Sequence, residues 1–187
     1  MGSGVPLAAG GLDLLAGGLD EVGLPLSDDD VAEQLLLLLF AGYETTASAL
    51  SCLLLTLLQH PAELAWLQEE LDSLPWPPEE GEAAAATDAL RAPRLDAVVK
   101  EVMRLTPPVG GFFRSTKQPI ALAGVLVPAD RVCLGKALAE LEIRLLAVGL
   151  LKQLTLELVG DQDLTLRVIP SPSPADGLLV RPYSRAS

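Results

Sequence analysis

The stretch GVLVPADRVCLGKALAELE, residues 124–142, sets Cys133 at the mouth of an amphipathic helix. Arg131 stands two residues before it and Gly135 two residues after. A thiolate is both a nucleophile and a metal ligand, and a helix N-terminus lowers a thiol's pKa with its partial positive charge and free N–H groups. Gly135 lets a flat group approach the backbone closely, and Arg131 can hold an anion beside the sulfur. The chain has two cysteines and one histidine, so zinc and iron–sulfur sites lack the ligands they need. A single protein thiolate suffices where a cofactor brings the remaining ligands. Read alone, the stretch is more simply a buried cysteine beside a helix start.

Two further stretches could do chemistry. In AGYETTASAL, residues 41–50, Ala41 and Gly42 make a weak spot inside a helical pattern, since glycine there costs about 1 kcal/mol relative to alanine. Glu44, Thr45 and Thr46 follow at once. A carboxylate beside a hydroxyl, where a helix can open to water, is suited to passing protons; a kinked core helix with a solvent-facing glutamate explains the same residues. In LDAVVKEVMRLTPPV, residues 95–109, Glu101 and Arg104 lie three apart on one helical face and can pair, which an ordinary surface ion pair also explains.

The elements that must position these residues are mostly helical. Half of the 187 residues are hydrophobic and only 4% are aromatic, a leucine- and alanine-rich content that favours helices. The net charge of −12 argues against nucleic acid, whose phosphates it repels. Two cysteines make no disulfide framework, and Cys52, within SALSCLLLTLL, reads as a small buried side chain. The first 26 residues read as an irregular arm with no signal peptide. Ser27 and Asp30 form a capping pair, with Leu26 and Val31 in staple positions. The pattern predicts one helix from Asp28 to about Gln59, roughly 48 Å long, ended by His60-Pro61. Residues 35–58 are long and apolar enough to raise a membrane span, with Glu44 as its one charge. A helix follows from Pro61, then a proline-rich acidic connection over 75–93, perceptibly helical only near its end. A helix over 94–106 and two short strands around Gly124 come next, and then, over 131–152, Cys133 followed by the last long helix. A hairpin is expected over 154–170, turning at GDQD, with a further strand in GLLVRP.

Taken in order, the three stretches resemble the cytochrome P450 family of heme-thiolate monooxygenases. Ala41, Gly42, Glu44, Thr45 and Thr46 meet the family's A/G-G-x-D/E-T-T/S pattern, and Glu101 with Arg104 its E-x-x-R. Arg131, Cys133, Leu134, Gly135, Leu138, Ala139 and Glu142 meet the ending R-x-C-L-G-x-x-L-A-x-x-E. The likeness covers about residues 24–182, and its flavour is that of members acting on retinoids, sterols or related lipids. It implies a mainly α fold with small β hairpins: a partial P450 fold over 27–187 after the arm, 1–26. It implies heme (iron protoporphyrin IX) with Cys133 as axial ligand of the iron. Glu44 and Thr45 would pass protons to the oxygen being activated, and Ala41 and Gly42 would form a groove over the ring. Arg114 and Arg131 would hold the propionates, Gly135 would admit the ring, and Glu101 and Arg104 would be structural. Lys136, Arg144 and Lys152 lie where members meet an electron donor, although an ordinary solvated helix face is the simpler reading. The implied partners are a lipophilic substrate, molecular oxygen and a separate reductase or ferredoxin, in the cytoplasm or at a membrane surface.

One departure stands out. In the family a long segment separates the VPA strand from the cysteine; it carries a further arginine, a meander and a phenylalanine- and glycine-rich loop. Here Pro128-Ala129 runs almost directly into Arg131-Val132-Cys133, and Leu126 and Ala129 stand where that loop needs phenylalanine and glycine. The expectation is a carboxy-terminal half with an internal deletion, poorly active or inactive, in which Arg104 is left as a one-sided buried ion. The alternative is a non-catalytic helical or membrane-associated interaction protein that no longer binds heme. A single-pass anchor over 35–58 ranks last.

Overall fold

A computed structural model describes residues 11–20, 22–74, 92–110, 119–122, 125–128, 133 and 135–185. The order is α1 (Gly11–Ala16), α2 (Asp28–Gln59), α3 (Pro61–Asp72), α4 (Pro93–Leu105), β1 (Pro119–Leu122), β2 (Val125–Pro128) and α5 (Lys136–Gln153). Then come β3 (Leu154–Leu158), β4 (Leu166–Arg167), β5 (Ser173–Pro174) and β6 (Val180–Ser184). The chain divides into two compact units, Met1–Tyr43 and Glu44–Ser187.

In the first unit, the short α1 leads into a loop closed by a bridge between Leu19 and Pro25. Asp20 Oδ1 accepts from the N–H groups of Val22 and Leu24, at 2.9 and 2.8 Å. The cap of α2 forms as its residues dictate. Asp30 N–H donates to Ser27 Oγ at 3.2 Å, and Ser27 N–H donates to Asp30 Oδ2 at 3.1 Å. The Ser27 hydroxyl, which also donates to Asp30 Oδ2, and then the Ser27 N–H hold the Asp30 carboxyl below its usual range. Beyond the cap, Leu36, Leu37, Leu38, Leu39, Phe40 and Tyr43 are between 45% and 78% exposed. Consecutive positions point all round a helix, so this length of α2 is apolar on every side and uncovered. α2 is long and apolar enough to cross a membrane by length and composition.

The second unit holds the core. Ala49, Cys52, Leu53 and Leu57 of α2 meet Leu67 and Leu71 of α3. Leu95, Val99 and Val102 of α4, with Ile143, Ala147, Val148 and Leu151 of α5, complete the cluster. The spacings of three and four place each set on one helical stripe.

Polar ties fix the helices around that core. Ala92 precedes α4 without a side-chain cap of its own. Glu70 of α3 replaces it, accepting from Arg94 N–H at 3.0 and 2.9 Å and from Leu95 N–H at 3.1 Å. Truncation of Glu70 to alanine is expected to cost about 1 kcal/mol, as loss of a helix cap does. A lower urea midpoint at unchanged slope would report it; an unmoved midpoint would count against the cap.

The long helix α5 begins at Lys136, and Cys133 precedes it. Its cations correct one expectation, because they are not a solvated face. The Arg144 side chain is 12% exposed and donates to Asp96 Oδ1 at 2.8 Å. Lys152 Nζ donates to the carbonyls of Leu71 and Leu74 at 2.5 and 2.7 Å. Both are bracing residues, pulled inward because carbonyls and a carboxylate await them; Lys136 alone stays out in solvent, 3.8 Å from Glu140.

Antiparallel β1 and β2 pair from Pro119↔Pro128 to Leu122↔Val125, as expected around Gly124. The hairpin expected to turn at GDQD does not form. β3 pairs instead with β6, from Leu154↔Ser184 to Leu158↔Val180, while β4 pairs with β5. Both 164–168 and 179–183 offer strand-like residues, and side-chain bonds decide between them. Gln162 Nε2 donates to Leu179 O at 2.9 Å, and Leu179 N–H donates to Gln162 Oε1 at 3.0 Å. With Asp161 at φ 59°, the turn closes on Leu179 and sends 163–178 out as a separate excursion.

Candidate functional site

The first group of candidate residues lies on α2. Ala41 and Gly42 are exposed, and Glu44, Thr45 and Thr46 are half-buried. The helix is uninterrupted across Gly42, so the opening expected there is absent: one glycine's cost of about 1 kcal/mol is small beside the packing of so long a helix. Ser171 Oγ donates to Glu44 Oε1 at 3.2 Å. Ser48 Oγ donates to Pro172 O at 2.6 Å, with Cys52 Sγ 3.5 Å from the same oxygen. Thr46 Oγ1 is buried without a hydrogen-bond partner among the described residues. Sequence reasoning missed Ser171 and Pro172; 127 residues separate Ser171 from Glu44, and no local pattern encodes that approach.

The second group opens α5. Cys133 is a free, exposed thiol. Its carbonyl accepts from Lys136 N–H at 3.2 Å, which sets the residue at the positive end of the helix. Gly135, the N-cap, has φ −82° and ψ 0°, and a Cβ there would meet no atom within 4 Å. Neither backbone nor neighbours therefore require glycine at 135. Arg114 and Arg131 lie outside the described residues. Cys52 contrasts with Cys133: it is 1% exposed, and burial pushes its thiol above the usual range. A disulfide reagent is expected to titrate one thiol promptly in the folded chain and the second only in denaturant. Prompt reaction of both would contradict the burial of Cys52.

The third group is the pair on α4. Arg104 Nε and Nη2 donate to Glu101 Oε2 and Oε1 at 2.8 and 2.7 Å. The side chains are 66% and 56% exposed, and the arginine holds the Glu101 carboxyl below its usual range. The expectation that Arg104 is a one-sided buried ion is thus corrected, because solvent reaches its charge and Glu101 chelates it. A shallow indentation lined by Ala49, Leu53, Val99, Val102, Met103 and Ile143 is too tight to admit a water molecule. Ligand pockets run to roughly 300–1,000 Å³.

The family model described as Cytochrome P450 matches residues 11–132. This chain belongs to the cytochrome P450 family. Cytochrome P450 120 of Synechocystis sp. is 32% identical over 222 aligned positions, covering 92% of this chain and 49% of its own length. Human cytochrome P450 26B1 is 30% identical over 223 positions, covering 91% of this chain and 44% of its own. Among solved structures, retinoic acid-bound cyanobacterial CYP120A1 superposes with a TM-score of 0.76 at 33% identity, over 93% of this chain and 50% of that one. The CYP102L1 crystal structure shares the fold, with a TM-score of 0.78 at 23% identity, over 98% of this chain and 52% of that one. The chain spans about half the length of the curated P450 relatives it matches, and its mainly helical fold with small antiparallel sheets is a partial P450 fold.

Heme is the cofactor of the P450 family. The donor chemistry of this chain fits it: one free, exposed thiol just before the N-terminus of a long helix, near a glycine that leaves its flank open.

Proposed function

We propose that this chain carries the oxygen-activating helix and the thiolate ligand of a heme-dependent monooxygenase acting on a lipophilic, retinoid-like molecule. One oxygen atom enters the substrate and the other leaves as water, with electrons from a separate reductase or ferredoxin. The observation that carries the reading is the exposed Cys133 thiol at the start of α5. The match of retinoic acid-bound CYP120A1 at 33% identity supports the substrate class.

Heme, when bound, supplies the binding and reductive activation of oxygen. The residues of the chain supply the rest. Cys133 would offer its sulfur as ligand, just before the N-terminus of α5. Gly135 leaves the backbone approachable from that side, and Arg131 and Arg114 would hold the carboxylates of the cofactor, a task suited to guanidinium groups. Glu44 takes a proton from solvent and hands it on through the hydroxyl of the adjacent Thr45, a general-acid role that contributes roughly 10²–10⁴-fold in rate.

We further propose that the chain works poorly by itself. The alignment with the Synechocystis relative has 222 positions but uses 92% of the 187 residues, about 172; some 50 positions of the relative have no counterpart here. Our reading assigns them to a block absent between Pro128 and Cys133, where the VPA strand runs almost directly into the cysteine. Without it, less chain surrounds the thiolate to exclude water.

The test is to express the chain with heme available, reduce it, add carbon monoxide and record the Soret band. A strongly red-shifted band with stoichiometric heme is the expected result. A chain that takes up no heme would overturn the reading and leave a non-catalytic helical protein.

A further inference from the structure

Three positions of α2 spaced by four residues, Glu44, Ser48 and Cys52, reach one short loop between β4 and β5. Ser48 Oγ and Cys52 Sγ share the carbonyl of Pro172, at 2.6 and 3.5 Å. Residue 171 beside it is 3% exposed, a buried polar side chain, and its hydroxyl donates to Glu44 Oε1 at 3.2 Å. Positions i, i+4 and i+8 share a helical face, so the loop lies along that face and is strapped to it at two points. A glutamate has three torsions to lose and prefers no one direction unaided. A donor at the buried, doubly anchored end of the loop removes that freedom and occupies one carboxylate oxygen, Oε1, while Oε2 takes and releases the proton.

From this geometry we infer that Ser171 is a positioning residue for the Glu44 carboxylate, held in place by the bonds of Ser48 and Cys52 to Pro172. The inference rests on the reading of Glu44 as the proton-delivering acid. It adds a residue from the far end of the chain that touches neither substrate nor cofactor in that role.

The contact is tested first without heme. With ¹³C-labelled glutamate, the infrared carboxylate band lost in Glu44→Gln identifies Glu44. Ser171→Ala is expected to shift that band, Ser171→Thr to preserve it, and Ser48→Ala to shift it in the same sense by loosening the loop. A band unmoved in both alanine variants, with unchanged far-ultraviolet circular dichroism, would overturn the contact. The role is tested in the heme-loaded chain. Ser171→Ala is expected to lower product formed per electron consumed about fivefold, the effect of one lost hydrogen bond, with KM held within about twofold and recovery in Ser171→Thr. If Glu44→Gln lowers that ratio and Ser171→Ala does not, the positioning role is wrong. If Glu44→Gln leaves it unchanged, the acid has been misassigned, and the infrared result stands apart from that failure.

Discussion

Replacing Cys133 with alanine is expected to abolish the red-shifted band of the reduced, carbon monoxide-bound chain altogether. The chain has one other thiol, Cys52, and it cannot substitute, because it is 1% exposed within the helical core and burial raises its pKa. The single histidine, His60, points its Nδ1 at the carbonyl of Thr56, 2.7 Å away. Cys133→Ala therefore removes the only exposed sulfur of the described chain, at the only cysteine beside a long helix's N-terminus. The measurement is the spectrum together with the heme-to-protein ratio, both compared with a Cys52→Ala control. Survival of the band in Cys133→Ala would show that the sulfur is not the ligand.

Leu53→Ala is expected to destabilise the chain by about 3–5 kcal/mol, in the upper part of the range for a buried leucine. Leu53 is 1% exposed in the core cluster with Val99, Val102 and Ile143, so truncation opens a void among packed helices. A void loses contacts on one side of every atom that lines it, and the helices around this one are braced by Glu70, Arg144 and Lys152. Against a total of roughly 5–15 kcal/mol, the loss is a large fraction. Leu39→Ala, at a position 68% exposed, is expected to move stability by no more than about 0.5 kcal/mol. Urea unfolding of the two variants side by side checks the contrast; equal effects would mean that Leu39 is as well buried as Leu53.

The helices were legible because their signals are local. Ser27 with Asp30, Pro61, and Pro107 with Pro108 mark ends that the backbone chemistry enforces, and the elements lie where those residues put them. The pairing of β3 was not legible, because the choice between 164–168 and 179–183 is made by the side chain of Gln162, which no period reveals. The inward turn of Arg144 and Lys152 was hidden for a related reason: cations on a helix look solvated until their carboxylate and carbonyl partners are in place. At the site, the order of the three stretches carried the family, while Ser171 came into view only when the chain brought its end back to Glu44.

The stretch from the β1–β2 hairpin to the sulfur sets a leash. Four residues, 129–132, join Pro128 to Cys133, and extended chain gains at most about 3.6 Å per residue, so the two Cα atoms stand within roughly 18 Å of each other in every conformation. A planar ring held by that sulfur, as proposed, would have the hairpin within the same reach, and lengthening the tether with a few glycines would relax that limit.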